Sequence, residues 1–120
     1  MATTAIITSW GANISGREQL GLAVFMGAIQ FFTACKQKGE IEELRVYIAD
    51  AGELGATAGH MVVEGSAAQL AALVERDDYR MVIVKAAHVV HGLRTSPFTT
   101  GDAEMKRIEM LQVARKELGL

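Results

Sequence analysis

The chain has 120 residues, of which half are hydrophobic and 22% are charged, and its formal net charge is −2. This composition is typical of one globular domain spanning residues 1–120, and it argues against the basic surface that binds nucleic acid. The single cysteine, Cys35, excludes an intrachain disulfide and a cysteine-rich metal site. We expect a cytoplasmic protein with no cofactor or metal and with neither a nucleic-acid nor a membrane partner.

The first fifty residues predict a strand, a helix and a second strand. Residues 3–10 are short and β-branched, as strands are. Ser15 and Glu18 have the spacing of a capping box that opens a helix, and Gly39 has the position of its C-terminal cap. The apolar face of this helix is wide, which predicts burial on more than one side. Its uncharged stretch, residues 19–35, is shorter than the roughly 20 apolar residues of a membrane span. Residues 41–50 alternate like a strand.

The second half predicts two more strands and two more helices. Residues 51–59 form a glycine-rich connection that lacks the order of a nucleotide-binding loop. A third strand follows at 60–65, and a helix capped by Ser66 spans 66–78. The nearly continuous apolar run at 79–90 predicts a fourth strand. Residues 94–102, interrupted by Pro97, predict a loop that could cover a pocket as a lid. A last helix, with Asp102 as its cap, completes the chain.

This order predicts an α+β, ferredoxin-like βαββαβ antiparallel sheet with an extra C-terminal helix. Right-handed crossovers place both earlier helices on one face of the sheet. Alternation assigns a mixture of polar and apolar side chains to the other, open face: Arg45, Tyr47, His60, Val62, Glu64, Met81, Ile83 and Lys85. The first strand adds Ile6, Thr8 and Trp10, or Ile7 and Ser9 if its register slips by one. Such a mixed face predicts a homodimer through the sheet faces with a small-molecule pocket between or beside them.

Several segments of the chain carry a resemblance to a known group. They are GRE at 16–18, VF at 24–25, GEIEELRVYI at 39–48, VEGSAAQLAAL at 63–73, YR at 79–80 and HGL at 91–93. With them, residues 5–118 resemble the dimeric α/β-barrel group of ferredoxin-like proteins, and more closely an uncharacterised family of small bacterial proteins within it. The wider group includes cofactor-independent monooxygenases, heme-degrading, dehalogenating and isomerising enzymes, and plain binding proteins. The resemblance implies no activity, so it assigns no catalytic residue.

Two histidines three residues apart, His88 and His91, pose the question of a metal pair. On a helix they would share a face, but on the predicted fourth strand they point to opposite faces. We therefore expect no shared metal. His88 is then a backbone-bonded histidine, while His91 lies near the strand mouth and is a candidate substrate contact.

His60 is the candidate catalytic residue, because an imidazole can act as a base near neutral pH. On the predicted sheet, His60 is expected near Tyr47 or Arg45 of the neighbouring strand. Arg45 and Glu64 are expected to form a cross-strand ion pair, although Arg45 could instead hold an anionic substrate group. Trp10 walls a pocket or packs in a dimer interface. Lys85, within an apolar strand, needs a partner or a water-filled cavity. The predicted substrate-binding set is Trp10, Arg45, Tyr47, Glu64, Lys85 and His91.

Three functions remain open on this reasoning. The first is a homodimer that binds a small, partly apolar molecule on the open sheet face. The second is an enzyme of the monooxygenase or isomerase kind, with His60 transferring a proton and Trp10 and Tyr47 holding the substrate. The third is a structural or regulatory dimerisation domain, in which the mixed face is entirely interface.

Overall fold

The computed structural model describes residues 2–50, 57–101 and 103–120. Most of the glycine-rich connection and the cap predicted at Asp102 therefore lie outside the described residues. The elements are β1 Thr4–Trp10, α1 Glu18–Gln37, β2 Glu43–Ile48, β3 Gly59–Gly65, α2 Ala67–Val74, α3 Asp77–Ala87, β4 Arg94–Thr99 and α4 Ala103–Glu117.

The four strands form one antiparallel sheet in the order β2-β3-β1-β4. The helices α1 and α2 pack on one face of it, and α3 packs against both of these helices. The sheet is open rather than closed into a barrel within one chain. The predicted fold class, ferredoxin-like α+β with an additional C-terminal helix, is therefore confirmed.

The strand predicted at 79–90 is wrong, because this segment forms the helix α3. Tyr79, Val82, Ile83 and Ala86 recur at helical spacing and face the interior. Two acidic residues, Asp77 and Asp78, occupy the first turn, where negative charge stabilises the positive end of the helix dipole. The β-branched run at 82–84 suggested a strand, but tertiary packing of an amphipathic face outweighs that propensity.

The loop and lid predicted at 94–102 are also wrong, because residues 94–99 form the edge strand β4. Pro97 lies opposite Ile6 on β1. The Thr100 amide bonds to the Thr3 carbonyl at 2.9 Å, so the alternation of the ladder makes the Ile6–Pro97 pair a non-hydrogen-bonded one. The missing N–H of Pro97 therefore points away from β1 toward the free edge, where a proline costs no ladder bond.

Two of the predicted helix ends are confirmed and two are wrong. Ser66 caps α2 in a capping box with Gln69, and Gly39 closes α1 in a left-handed conformation at φ 74°. The helix predicted at 66–78 nevertheless ends at Val74, and α3 begins separately. Ser15 does not cap α1, which begins at Glu18 after Arg17 without a side-chain cap. The Glu18 carboxylate instead accepts from the Gly16 amide at 3.2 Å.

The core lies between the helices and the covered face of the sheet. Its most buried side chains include Phe32, Cys35, Ile41, Met61, Val63 and Leu73. The helix α1 contributes only one face, since Leu20, Leu22 and Met26 are 59%, 62% and 46% exposed. Burial of α1 on more than one side is thus wrong for the single chain. By length and composition alone, α1 could cross a membrane. Core helices of soluble proteins meet the same criteria. Of the 18-residue apolar stretch in α1, 22% is buried inside the protein.

The register of β1 is the slipped alternative. Trp10 pairs with Gly59 and Ile6 with Val63, so both point toward the helices. Ile7 and Ser9 lie on the open face instead. On β2 and β3 the predicted alternation is confirmed: Val46 lies opposite Met61 on the covered face, and Tyr47, His60 and Glu64 lie on the open face.

Candidate functional site

A cavity of about 320 Å³ lies between the sheet and the helices α1 and α3, and we call it the interlayer cavity. Its floor is formed by buried side chains, among them Ala28, Phe32 and Met61. Its mouth includes the exposed residues Asn13 and Leu22. The volume is in the range of small-molecule sites, which are roughly 300–1,000 Å³.

Aromatic side chains form one wall of the interlayer cavity. The rings of Trp10 on β1 and Phe25 on α1 are 5.8 Å apart between centroids and are tilted by 57°. Gly59 makes room for this arrangement, because a Cβ atom there would be 2.6 Å from a ring carbon of Trp10 and 2.8 Å from the Tyr47 carbonyl oxygen. The position of Trp10 against α1 therefore depends on the absence of a side chain on the neighbouring strand.

Only two polar side chains line the interlayer cavity among the described residues, Thr8 and Asn13. The Thr8 hydroxyl donates to the Thr95 hydroxyl oxygen at 3.1 Å. Asn13 approaches α1 closely, since a Cβ atom on Gly21 would be 2.3 Å from its side-chain oxygen. No charged side chain is among the described lining residues. The cavity thus offers a largely apolar surface with one amide at the mouth.

Four of the predicted site residues lie together on the open face. Tyr47 and His60 are direct cross-strand partners. The expected ion pair is confirmed, with Arg45 Nε donating to Glu64 Oε1 at 2.9 Å. Glu64 raises the pKa of the Arg45 guanidinium through this hydrogen bond. Because Arg45 and Glu64 pair with each other, neither charge is left over for a ligand. The exposed side chains of Arg45, Tyr47 and His60 are open to solvent or to a partner chain.

The other three predicted site residues lie elsewhere. Trp10 lines the interlayer cavity on the covered face, because β1 has the slipped register. Lys85 is exposed in the last turn of α3. His91 is exposed beyond the end of α3, and its backbone bonds to Gly11 and Ala12. The predicted placement of Lys85 and His91 on the open face is wrong, since it required the fourth strand at 79–90.

His88 and His91 do not share a strand, because His88 caps the C-terminal end of α3. The His88 Nδ1–H donates to the Val84 carbonyl at 2.8 Å, one helical turn back. This agrees with a backbone-bonded histidine, although the residue is exposed. Among residues 2–50, 57–101 and 103–120 there is no group of three or more His, Cys, Asp or Glu side chains placed to hold a metal.

A charged cluster around Arg76 joins the start of α3 to the end of α1. The Arg76 guanidinium bonds to Glu40 and Asp78 and lies 5.4 Å from the centre of the Phe31 ring. Arg76 lowers the pKa of the Asp78 carboxyl through its hydrogen bond. Burial raises the pKa of the neighbouring Cys35 thiol, which keeps it protonated and unreactive. We assign this cluster to the attachment of α3.

The sequence prediction missed Phe25, Asn13 and Ala86 as cavity residues. Phe25 belongs to the first helix, whose wide apolar face does not show which of its side chains border a cavity. Ala86 could have been found from the length of the run at 79–90, since a twelve-residue apolar stretch is longer than most strands. Nothing in the sequence around Asn13 marks it as a cavity residue, because its position depends on Gly21.

The sheet order and the helices on one face define a protein of the ferredoxin-like class. A solved structure of this class is similar, described as a dimeric protein of unknown function and ferredoxin-like fold from Bacteroides fragilis NCTC 9343. The two share 9% sequence identity with a TM-score of 0.62, over 82% of this chain and 96% of that chain. At this identity the likeness shows the fold alone. No protein-family model matches the chain. No curated protein matches it either.

Proposed function

We propose that this protein binds a small, uncharged and largely apolar molecule in the interlayer cavity. The observation that carries the proposal is the cavity itself, which has a volume of about 320 Å³ and is lined by the aromatic rings of Trp10 and Phe25. An apolar cavity with a few polar groups is the usual form of a small-molecule site. The proposed ligand site thus lies on the covered face of the sheet, not on the open face where the sequence predicted it.

The chemistry of the lining defines the class of ligand. A charged group would lose its hydration in the cavity without gaining an opposite charge, which is costly. Trp10 and Phe25 offer ring faces and edges suited to a flat, apolar molecule. Asn13 can both donate and accept a hydrogen bond. The preferred ligand is therefore a neutral ring compound with one hydrogen-bonding group near the cavity mouth.

The proposal includes a homodimer formed through the open face. Ile7 and Val62 are half-buried at the centre of this face, and Phe98 at its edge is 50% exposed. Arg45, Glu64 and Arg94 lie around these apolar side chains. An apolar centre with a charged rim is typical of protein interfaces. The similar structure from Bacteroides fragilis is also described as dimeric.

Catalysis by His60 stays a prediction and has no part in this proposal. His60 lies on the open face, whereas the interlayer cavity lies on the covered face. The sheet therefore separates the imidazole from a molecule bound in the cavity. Binding without catalysis is the function that this arrangement supports best.

Fluorescence of Trp10 tests the proposed site directly, because the chain has one tryptophan and it lines the cavity. The probe is N-phenylnaphthylamine, a neutral two-ring-system compound with one N–H group. We expect saturable quenching of Trp10 with energy transfer to the probe, and one probe bound per protomer. An anionic analogue carrying a sulfonate should bind at least tenfold more weakly.

Two neighbouring alanines of α3 provide a matched pair of variants. Ala86 lines the cavity, whereas Ala87 is exposed and does not. Ala86→Phe should fill the cavity and abolish probe binding, while Ala87→Phe should bind as the wild type does. Equal binding by both variants, with native circular dichroism, would rule out the interlayer cavity as the site.

A further inference from the structure

A second cavity, of about 420 Å³, lies beside α2 on the covered side of β1 and β4, and we call it the α2 groove. Ile6 of β1 and Pro97 of β4 form its floor. Four residues of α2 form one wall and have the spacing of a single helical face: Ala67, Leu70, Ala71 and Val74. The groove follows these two turns for about 10 Å, at the rise of an α-helix.

The α2 groove is separate from the interlayer cavity, because no described residue lines both. Two contacts divide them. The Thr8 hydroxyl, on the side of the interlayer cavity, donates to the Thr95 hydroxyl oxygen, on the side of the groove. The Phe32 ring, on the first side, lies edge-to-face against the Tyr79 ring, on the second, with 6.1 Å between centroids. A molecule in the groove therefore occupies a site of its own.

The hydroxyl of Tyr79 is the feature of the groove that points to a ligand. Tyr79 is 6% exposed, and a tyrosine buried this deeply usually forms a hydrogen bond through its hydroxyl. Among the described residues, its amide donates to the Asp78 carboxylate at 2.9 Å, whereas its hydroxyl has no partner. No enclosed side-chain oxygen in the described ranges lacks a partner, so this hydroxyl must reach open space. Tyr79 lines the α2 groove and not the interlayer cavity, so the open space is the groove.

The lining of the α2 groove defines the molecule that fits it. None of the described lining residues is charged, so a charged ligand would lose its hydration without compensation. The α2 wall and the floor are aliphatic and suit a flexible chain, in contrast to the aromatic wall of the interlayer cavity. Because α3 follows α2 after a short turn, Tyr79 lies at the end of the groove marked by Val74. Its hydroxyl can donate and accept a hydrogen bond there.

We propose that the α2 groove is a second ligand site, which binds a neutral aliphatic molecule with a hydrogen-bonding oxygen at one end. The aliphatic walls hold the chain, and the Tyr79 hydroxyl holds the oxygen. This inference goes beyond the proposed function and does not depend on it, because the two sites share no residue.

The first test is a titration of the methyl-labelled full-length protein with 1-hexanol, followed by nuclear magnetic resonance. We expect saturable shifts at the methyl groups of Ala67, Leu70, Ala71 and Val74. Two neighbouring alanines of α2 give matched variants, since both are exposed but only Ala71 lines the groove. Ala71→Phe should weaken hexanol binding roughly tenfold or more, because the ring takes the volume that the chain needs. Ala72→Phe should bind as the wild type does.

The second test isolates the hydroxyl. Tyr79→Phe keeps the ring that packs against Phe32 and removes one oxygen atom. It should weaken binding of 1-hexanol roughly fivefold, the effect of one neutral hydrogen bond. Binding of 1-fluorohexane should be unchanged, because it has the same chain and its fluorine is a poor hydrogen-bond acceptor. A purely structural role of Tyr79 would alter both affinities equally.

Three results overturn the inference. The first is shifts that do not saturate, which would mean that the groove holds water only. The second is equal hexanol binding by Ala71→Phe and Ala72→Phe, or an unchanged affinity in Tyr79→Phe. The third is shifts concentrated at Ala28 and Ala86, which would place the alcohol in the interlayer cavity. None of these results bears on N-phenylnaphthylamine, whose binding to the Ala86→Phe variant tests the proposed function separately.

Discussion

At the scale of single residues, Gly59 controls the wall of the interlayer cavity. Any side chain there would collide with Trp10 and with the Tyr47 carbonyl. We predict that Gly59→Ala lowers the free energy of unfolding by about 1–3 kcal/mol, as overpacking does. It should also shift the Trp10 emission, because the indole ring must move. Urea denaturation and fluorescence spectra measure the two effects. Wild-type stability with an unchanged spectrum would contradict this account of the wall.

Gly27 provides the opposite case within α1. It is exposed, and a Cβ atom there would have no neighbour within 4 Å. We predict that Gly27→Ala raises the free energy of unfolding by about 0.5–1 kcal/mol, because alanine restricts the unfolded chain and favours the helix. Thermal and urea unfolding measure the gain. A loss of stability would mean that another surface lies against this side of α1.

The ion pair of Asp78 with Arg76 makes a prediction about acid pH. The pair lowers the pKa of the Asp78 carboxyl, through a hydrogen bond of 2.6 Å. A lowered pKa means that the stabilisation is complete above the ordinary carboxyl pKa of about 4, and is lost as the pH falls through the lowered value. Asp78→Asn should therefore destabilise the protein at neutral pH, and the difference from wild type should vanish in strong acid. Urea unfolding across this range measures it, and a pH-independent difference would refute it.

At the scale of secondary-structure elements, α3 decides how the site is built. In a helix, Tyr79 and Met81 point in different directions, and they are 6% and 54% exposed. In a strand they would share a face. We predict that Tyr79→Ala lowers the free energy of unfolding by about 3–5 kcal/mol, and that Met81→Ala changes it by less than about 0.5 kcal/mol. Similar losses for both variants would indicate a strand at this segment.

The same element shows how far the sequence determines the fold. Alternation placed β2 and β3 correctly, and Ser66 and Gly39 marked helix ends, because these signals are local. The apolar residues of the segment at 79–90 fit both the spacing of a strand and that of a helix. Which of the two structures forms is therefore decided by what the segment packs against. Pro97 concealed β4, because an edge strand tolerates a proline that an interior strand does not. The wrong assignment of these two elements moved Lys85 and His91 to a face they do not occupy.

The candidate site was predictable only in part, for a related reason. Arg45, Tyr47, His60 and Glu64 share a face because strand alternation is fixed by the chain itself. The sequence allows two registers of β1, and Trp10 lies on the open face in one and on the covered face in the other. A slip of one residue moves every side chain of β1 across the sheet. The interlayer cavity lies where three strands and two helices meet. Its position depends on packing between segments far apart in the sequence, which no local pattern specifies.

At the scale of the whole molecule, the two faces of the sheet have different proposed roles. The covered face borders the interlayer cavity, while the open face forms the proposed dimer interface. Because the sheet lies between them, we predict that the two can be separated. Val62→Glu, at the half-buried centre of the open face, should dissociate the dimer and leave the dissociation constant of N-phenylnaphthylamine within about twofold of wild type. Loss of probe binding together with the dimer would show that the partner completes the site.

The central claim, that the ligand site lies between the sheet and the helices, is tested most directly by amide and indole chemical shifts during titration with N-phenylnaphthylamine. The account predicts that the largest changes occur at the Trp10 indole and at the amides of Gly21, Ala28 and Ala86. Changes concentrated at Tyr47, His60 and Val62 would place the ligand on the open face and contradict it.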